Sequence, residues 1–169
     1  MLRYSWTCSC CGKQHDELPL HWGVDAPDFY VWLSDAEQKS RAELSDDFCT
    51  IDGQYFFVRG RIEIPIIGYS ETFSWGAWAS LSATSMETVR RVWDQPSRQS
   101  TGEFFGWLST SLPHYPETLS LKTHVRLNAP PIISSIMLEP TDHPLAVEQR
   151  EGIRLERAIE IAEALLPSH

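Results

Sequence analysis

A chain of 169 residues with 42% hydrophobic content has the size of one domain built on one core, and 14 basic against 23 acidic residues leave a formal charge of −9. Such a charge repels a phosphate backbone and argues against general nucleic-acid binding. No apolar run approaches the roughly 20 residues that span a bilayer, and Met1-Leu2-Arg3-Tyr4 carries no signal-peptide core, so the expectation is a cytoplasmic protein without membrane contact, whose thiols stay reduced and open to metal.

Tyr4-Ser5-Trp6-Thr7 alternates large and small residues and predicts a short strand. It leads into Cys8-Ser9-Cys10-Cys11-Gly12-Lys13-Gln14-His15, where three of the four cysteines fall within four residues. In a Cys-x-x-Cys turn both thiolates can face one side, about 2.3 Å from a zinc ion, and Gly12 supplies the positive φ of a tight knuckle. His15 offers a third ligand and Cys49 is the only cysteine elsewhere. The expectation is a closed, structural zinc site made by Cys8, Cys11, His15 and Cys49, with Cys10 able to replace Cys8 or Cys49 and His21 or His143 able to fill the fourth place. A redox pair would sit at a helix start after a strand, and Asp16-Glu17-Leu18-Pro19 does not begin a helix. Catalytic zinc lacks its His-Glu-x-x-His signature.

His21 to Trp32 is rich in aromatics and turn residues and reads as a packed loop. Ser34-x-x-Glu37 has capping-box spacing and predicts a helix ending before Ser45. Phe48 to Ile51 reads as a strand, with Asp52-Gly53 as a hairpin turn. Beyond it Phe56, Val58, Gly60, Ile62, Ile64 and Ile66 alternate with Tyr55, Arg59, Arg61 and Glu63. Phe73, Trp75, Ala77, Ala79 and Leu81 alternate with Ser74, Gly76, Trp78 and Ser80, which predicts a second half-buried strand.

Thr84-x-x-Glu87 repeats the capping-box pattern and predicts a helix to about Trp93. Ser97 to Glu103 reads as a polar, mobile loop, Phe104 to Leu108 as a short apolar stretch, and Leu112 to Pro116 as a rigid turn. Leu119 to Leu127 alternates apolar residues with Ser120, Lys122, His124 and Arg126, and Pro130-Pro131 breaks the chain before a strand from Ile132 to Leu138. Thr141-Asp142 with Pro144 opens a helix punctuated by Gly152, and Leu155, Ala158, Ile159, Ala162, Leu165 and Leu166 mark the apolar stripe of a last helix that Pro167 stops. The fold class expected is α+β: an antiparallel sheet flanked by helices, one domain over residues 1–169, with residues 1–24 as a zinc-knuckle-like segment packed on it.

Cys8-x-x-Cys11-Gly12-x-x-His15, Phe57-Val58-Arg59-Gly60 with Glu63-Ile64-Pro65, Trp75-Gly76-x-Trp78, Phe105-Gly106-Trp107-Leu108 and Asp142-His143-Pro144-Leu145-Ala146 together resemble a bacterial family known as domain of unknown function 2199. The resemblance spans nearly the whole chain and implies a small soluble bacterial protein, with no reaction, substrate or partner to carry over. Cys10 stands beside the knuckle pair as a departure from that pattern.

The residues themselves nominate two further places. Arg59, Arg61, Lys122, His124 and Arg126 occupy the non-core faces of two strands, with Tyr55 and Trp78 near them. If those strands are neighbours, a basic and aromatic patch on an acidic protein can receive a small anionic ligand or a protein partner, while the plainer reading is a solvated sheet face. His143, between Asp142 and Pro144 at a helix start, is either a cap or an acid–base group; no Gly-x-Ser-x-Gly elbow, P-loop or Gly-x-Gly-x-x-Gly fingerprint supports the latter. No catalytic residue is nominated. The function expected is a non-enzymatic, zinc-stabilised binding or interaction domain; the alternative is a metal-dependent hydrolase with an open zinc site and His143 or a carboxylate as base.

Overall fold

Alternating apolar residues from Tyr55 to Leu81 build the long hairpin on which the rest is assembled, β6 (Tyr55–Pro65) paired antiparallel with β7 (Thr72–Leu81) from Phe56↔Leu81 to Pro65↔Thr72. The computed structural model describes residues 2–166; Pro167, expected to stop the last helix, lies outside them. Before the hairpin come β1 (Leu2–Thr7), β2 (Gln14–Leu18), β3 (His21–Gly23), α1 (Asp28–Val31), α2 (Asp35–Arg41), β4 (Ala42–Leu44) and β5 (Phe48–Ile51). After it come α3 (Ala83–Val92), a 3-10 turn at Arg98–Thr101, β8 (Glu103–Leu108), β9 (Lys122–Arg126), β10 (Ser134–Leu138), α4 (Pro144–Glu151) and α5 (Leu155–Leu165).

Both long strands change partners midway. β6 pairs with β5 through Tyr55 to Val58 and then with β10 through Gly60 and Arg61, while β7 pairs with β3 through Ser74 to Gly76 and with β8 through Ala79 to Leu81. Because β8 continues to β9 and β9 to β10, five strands close a ring, β6-β7-β8-β9-β10, with β5 and β4 extending from one side and β3 from the other. The change of partner at Gly60 requires the glycine. A Cβ there would lie 2.7 Å from the Ile136 side chain and 2.9 Å from the Ser134 carbonyl oxygen.

The sheet is therefore mixed rather than antiparallel, since β3 runs parallel to β7 and β10 parallel to β6. The physical reason is the return path. From β6 round to β10 each ring strand runs antiparallel to the one before it, and because the five are odd in number β10 arrives beside β6 in the same sense. Ile62, Ile64, Phe73, Trp75, Val125 and Ile136 fill the interior and are almost fully buried, each worth about 1.5–3 kcal/mol of transfer free energy. Ala158, Ile161 and Ala162 of α5 and Met86 and Val89 of α3 join that core, as the stripe spacing of their helices requires.

Local signals were met with small displacements. Ser34 and Glu37 form the expected reciprocal capping box, whereas α3 is capped by Ser82, whose hydroxyl accepts from the Ser85 amide, two residues before Thr84. Ser97 to Glu103 is anchored instead of loose: the buried Arg98 guanidinium donates to the carbonyls of Trp93, Asn128 and Ile132 and lies 4.3 Å from the Trp93 ring. Three convergent carbonyls compensate a cation that would otherwise be costly to bury.

Candidate functional site

The cysteines sit at the tip of the β1–β2 hairpin. Leu2 pairs with Leu18 and Trp6 with His15, and the turn is closed by hydrogen bonds from the Gly12 amide to the Cys8 carbonyl at 2.8 Å and from the Cys8 amide to the Lys13 carbonyl at 2.9 Å. Gly12 takes φ +68°, as a knuckle glycine should. Cys8 is buried in the main core with Leu2, Trp6 and Leu18, Cys11 is half-buried and Cys10 is exposed. The three sulfurs lie within 4.8 Å of one another, with Cys8 and Cys10 Sγ at 2.6 Å.

That cluster suits a thiophilic ion. A tetrahedron with Zn–S distances of about 2.3 Å has edges of about 3.8 Å, so Cys8 and Cys10, with sulfurs 2.6 Å apart, would have to separate to ligate one ion together. Hydrogen bonding between Cys10 and Cys8 holds the Cys8 thiol below its ordinary value and pushes Cys10 up to about 11, so Cys8 gives up its proton first. His15 stands across from Trp6, its ring stacked on the indole at 4.8 Å, and its Nε2 is buried with no hydrogen-bond partner among the described residues. Strand alternation puts Trp6, its partner His15 and Cys8 on one face of the hairpin. His15 nevertheless lies outside the group of three sulfurs.

Cys49 is not brought to them. It lies on β5 across from Phe57, in a second small core with Ile51 and Trp78 covered by Tyr30 and Leu33, and burial raises its thiol to about 11. Cys10, adjacent in the turn, is instead the third sulfur of the cluster. His21 bonds through Nδ1 to the Ser74 hydroxyl at 2.8 Å. His143 is the N-cap of α4: Nδ1 accepts from the Leu145 amide at 3.1 Å and Nε2 donates to the Glu117 carbonyl at 3.0 Å. With both ring nitrogens engaged, His143 serves the helix start rather than acid–base work.

The basic face is dispersed by an intervening strand. β10 lies between β6 and β9, so Arg61 and Arg126 flank Ser135 in one row across the sheet. Lys122 lies opposite Trp107, and His124 pairs with Glu139 at 3.1 Å and meets the edge of Phe105. Arg59 reaches Asp47 at 3.8 Å. Trp78, expected on the solvent face, is fully buried with its indole nitrogen donating to the Val24 carbonyl, because α1 and the loop before it cover that face. It cannot be a stacking platform.

Sequence reasoning missed the aromatic cleft that does reach solvent. Phe29, Trp32, Tyr55, Phe105 and Trp107 converge on an open cleft of ≈ 1020 Å³ floored by Phe57 and Leu81, and all five are substantially exposed, Trp32 by 63%. Phe29 stacks on Phe57 at 5.8 Å and Phe105 meets Trp107 edge-on at 5.2 Å. The charged groups at its rim, Arg41 and Asp52, neutralise each other through two hydrogen bonds of 2.8 Å. The signal was present in β8, where Phe105 and Trp107 alternate with the inward Phe104, Gly106 and Leu108, but an aromatic on both faces hides the period.

No helix among the described residues is long and apolar enough to cross a membrane. No curated protein and no solved structure matches the chain. The model of the family described as "Uncharacterized protein conserved in bacteria (DUF2199)" matches residues 7–153, and the chain belongs to that family.

Proposed function

We propose that this protein is a non-enzymatic binding domain in which a zinc ion fastens the N-terminal hairpin and an uncharged, apolar ligand enters the aromatic cleft. The observation that carries the reading is the convergence of five exposed aromatic side chains on one cleft, since isolated exposed apolar residues are ordinary but a contiguous patch of this kind signals a binding surface. Internal pairing of Arg41 with Asp52 leaves no unbalanced charge at the rim, and Ser80, Ser82, Ser85, Ser109 and Ser120 supply only neutral polar groups. An ionic ligand would lose hydration there without compensation.

Zinc in this reading is held by Cys8, Cys10 and Cys11 with His15 as fourth ligand, and its contribution is to folding of the hairpin. The hydrolase alternative needs a base beside the metal; of its two nominees, His143 or a carboxylate, His143 is committed to α4, and the Glu163 carboxylate at the cysteine turn is held by the amide and hydroxyl of Ser9. The test is titration of the metal-loaded protein with the neutral dye Nile red. Saturable binding that is lost in Trp32→Ala and Trp107→Ala supports the cleft, and equal binding by those variants would refute it. Elemental analysis of the same preparation should show one zinc per chain.

A further inference from the structure

A second pocket, away from the aromatic cleft, opens where β10 parts from β6. The two strands are in register only over Ser134 and Ser135. Beyond that point the Gln149 side chain of α4 takes the vacated ladder positions, donating to the Ile136 carbonyl at 2.9 Å and accepting from the Leu138 amide at 2.8 Å. The gap so held open encloses ≈ 350 Å³, a size suited to a small molecule. Arg61 from β6, Arg126 from β9 and Arg150 from α4 line it.

We propose that this pocket binds the phosphate group of a small organic phosphate monoester. Among the described residues none of the three guanidinium groups makes an ion pair or hydrogen bond, unlike Arg41, Arg98 and Arg157, which are all engaged. Glu103, across from Arg126 on β8, makes no ion pair with it. Glu63 is the one carboxylate at the pocket, so three guanidiniums and one carboxylate leave a local charge of +2 in a chain whose net charge is −9. That matches a phosphate monoester, which carries roughly −1.5 to −2 near neutral pH.

Geometry adds to charge. Arg61 and Arg126 face each other across Ser135, two strand spacings or roughly 9.5 Å apart at the backbone, and can close on one anion from opposite sides. Ser135 Oγ accepts a hydrogen bond from Asn128 Nδ2 at 3.0 Å, which leaves its own proton free to donate to an oxyanion. Arg150 is carried by a helix whose end is tied to β6: the Ile153 amide donates to the Pro65 carbonyl at 2.8 Å and the Ile67 amide to the Ile153 carbonyl at 2.9 Å. Met137, Leu138, Pro140 and Ala146 form an apolar wall for the organic part of the ester.

Calorimetric titration of the full chain with phenyl phosphate, inorganic phosphate and succinate at matched ionic strength tests this. Phenyl phosphate should bind at one site, more tightly than inorganic phosphate, and weaken as potassium chloride is raised. Arg126→Gln and Arg150→Gln should each weaken it at least tenfold with an unchanged melting temperature, and Lys122→Gln should stay within twofold of the parent. No heat with any oxyanion, or equal affinity in the arginine variants and the parent, would overturn the site; tighter binding of succinate would overturn its assignment to phosphate.

Discussion

Ser9 and Glu163 meet at two points: the Ser9 amide donates to one carboxylate oxygen at 2.8 Å and the Ser9 hydroxyl to the other at 2.7 Å. This contact ties the cysteine turn to α5, joining chain segments 154 residues apart. Those two bonds hold the Glu163 carboxyl below its ordinary value. A carboxyl depressed in the folded state stabilises above its unfolded pKa, about 4.3, and that contribution is lost as pH falls through the folded value. Glu163→Gln should therefore flatten the acid side of the stability profile and speed amide exchange in β1 and β2. The cost at pH 7 should be no more than about 1 kcal/mol, because the contact is exposed.

The cysteine assignments separate cleanly by substitution. Cys8→Ser and Cys11→Ser should empty the metal site, and Cys10→Ser should weaken it, each read as zinc per chain. Cys49→Ala should leave the zinc count unchanged and cost about 1–2 kcal/mol for the small cavity it opens between Phe57 and Trp78. In the metal-free protein Cys49 should be the last thiol labelled by maleimide at pH 8, since its pKa near 11 and full burial deny it both thiolate and access. Loss of zinc in Cys49→Ala would return it to the ligand set.

Period-two alternation carried much of the fold into view, because a strand with one face buried, such as Tyr55–Pro65 from Val58 onward, must repeat every second side chain. It failed where a second layer covers the outer face, as over Trp78, for burial on both sides erases the distinction the pattern depends on. It also overextended β9: Leu119 and Leu121 continue the alternation, yet Ser120 takes φ +66° and breaks the strand. Cys8, Cys10 and Cys11 were visible as a cluster because the turn alone assembles them. The pocket between Arg61, Arg126 and Arg150 was not, since it depends on β10 entering between two strands that sequence order places far apart.

Tyr115 links three elements through one hydroxyl. It accepts from the Trp75 indole nitrogen at 3.1 Å and donates to Glu148 at 2.5 Å, while Arg157 holds the other Glu148 oxygen at 3.0 Å. Burial, then the Glu148 carboxylate, raises the phenol well above its ordinary value, so it remains a donor across the physiological range. Tyr115→Phe would leave a buried indole N–H and a half-buried carboxylate short of a partner. The expected loss is about 1–3 kcal/mol in urea unfolding, with native packing otherwise retained; a loss below 0.5 kcal/mol, on the order of an ordinary surface change, would mean water replaces the hydroxyl.

His21 reports on Arg61 from the far side of β6. Its imidazole is depressed by burial first, then by the charges of Arg61 and Arg59. A histidine whose folded pKa lies below its unfolded value, about 6.5, leaves the native state less protonated. It stabilises fully above that value, and its contribution fades as pH falls through the folded one. Arg61→Gln should raise the His21 pKa part of the way toward 6.5, since burial persists, and phenyl phosphate should do the same in the parent by offsetting the Arg61 charge. Proton NMR of the His21 ring measures both. An upward shift on ligand addition that is absent in Arg61→Gln would place the anion at Arg61, whereas an identical shift in both proteins would locate it elsewhere.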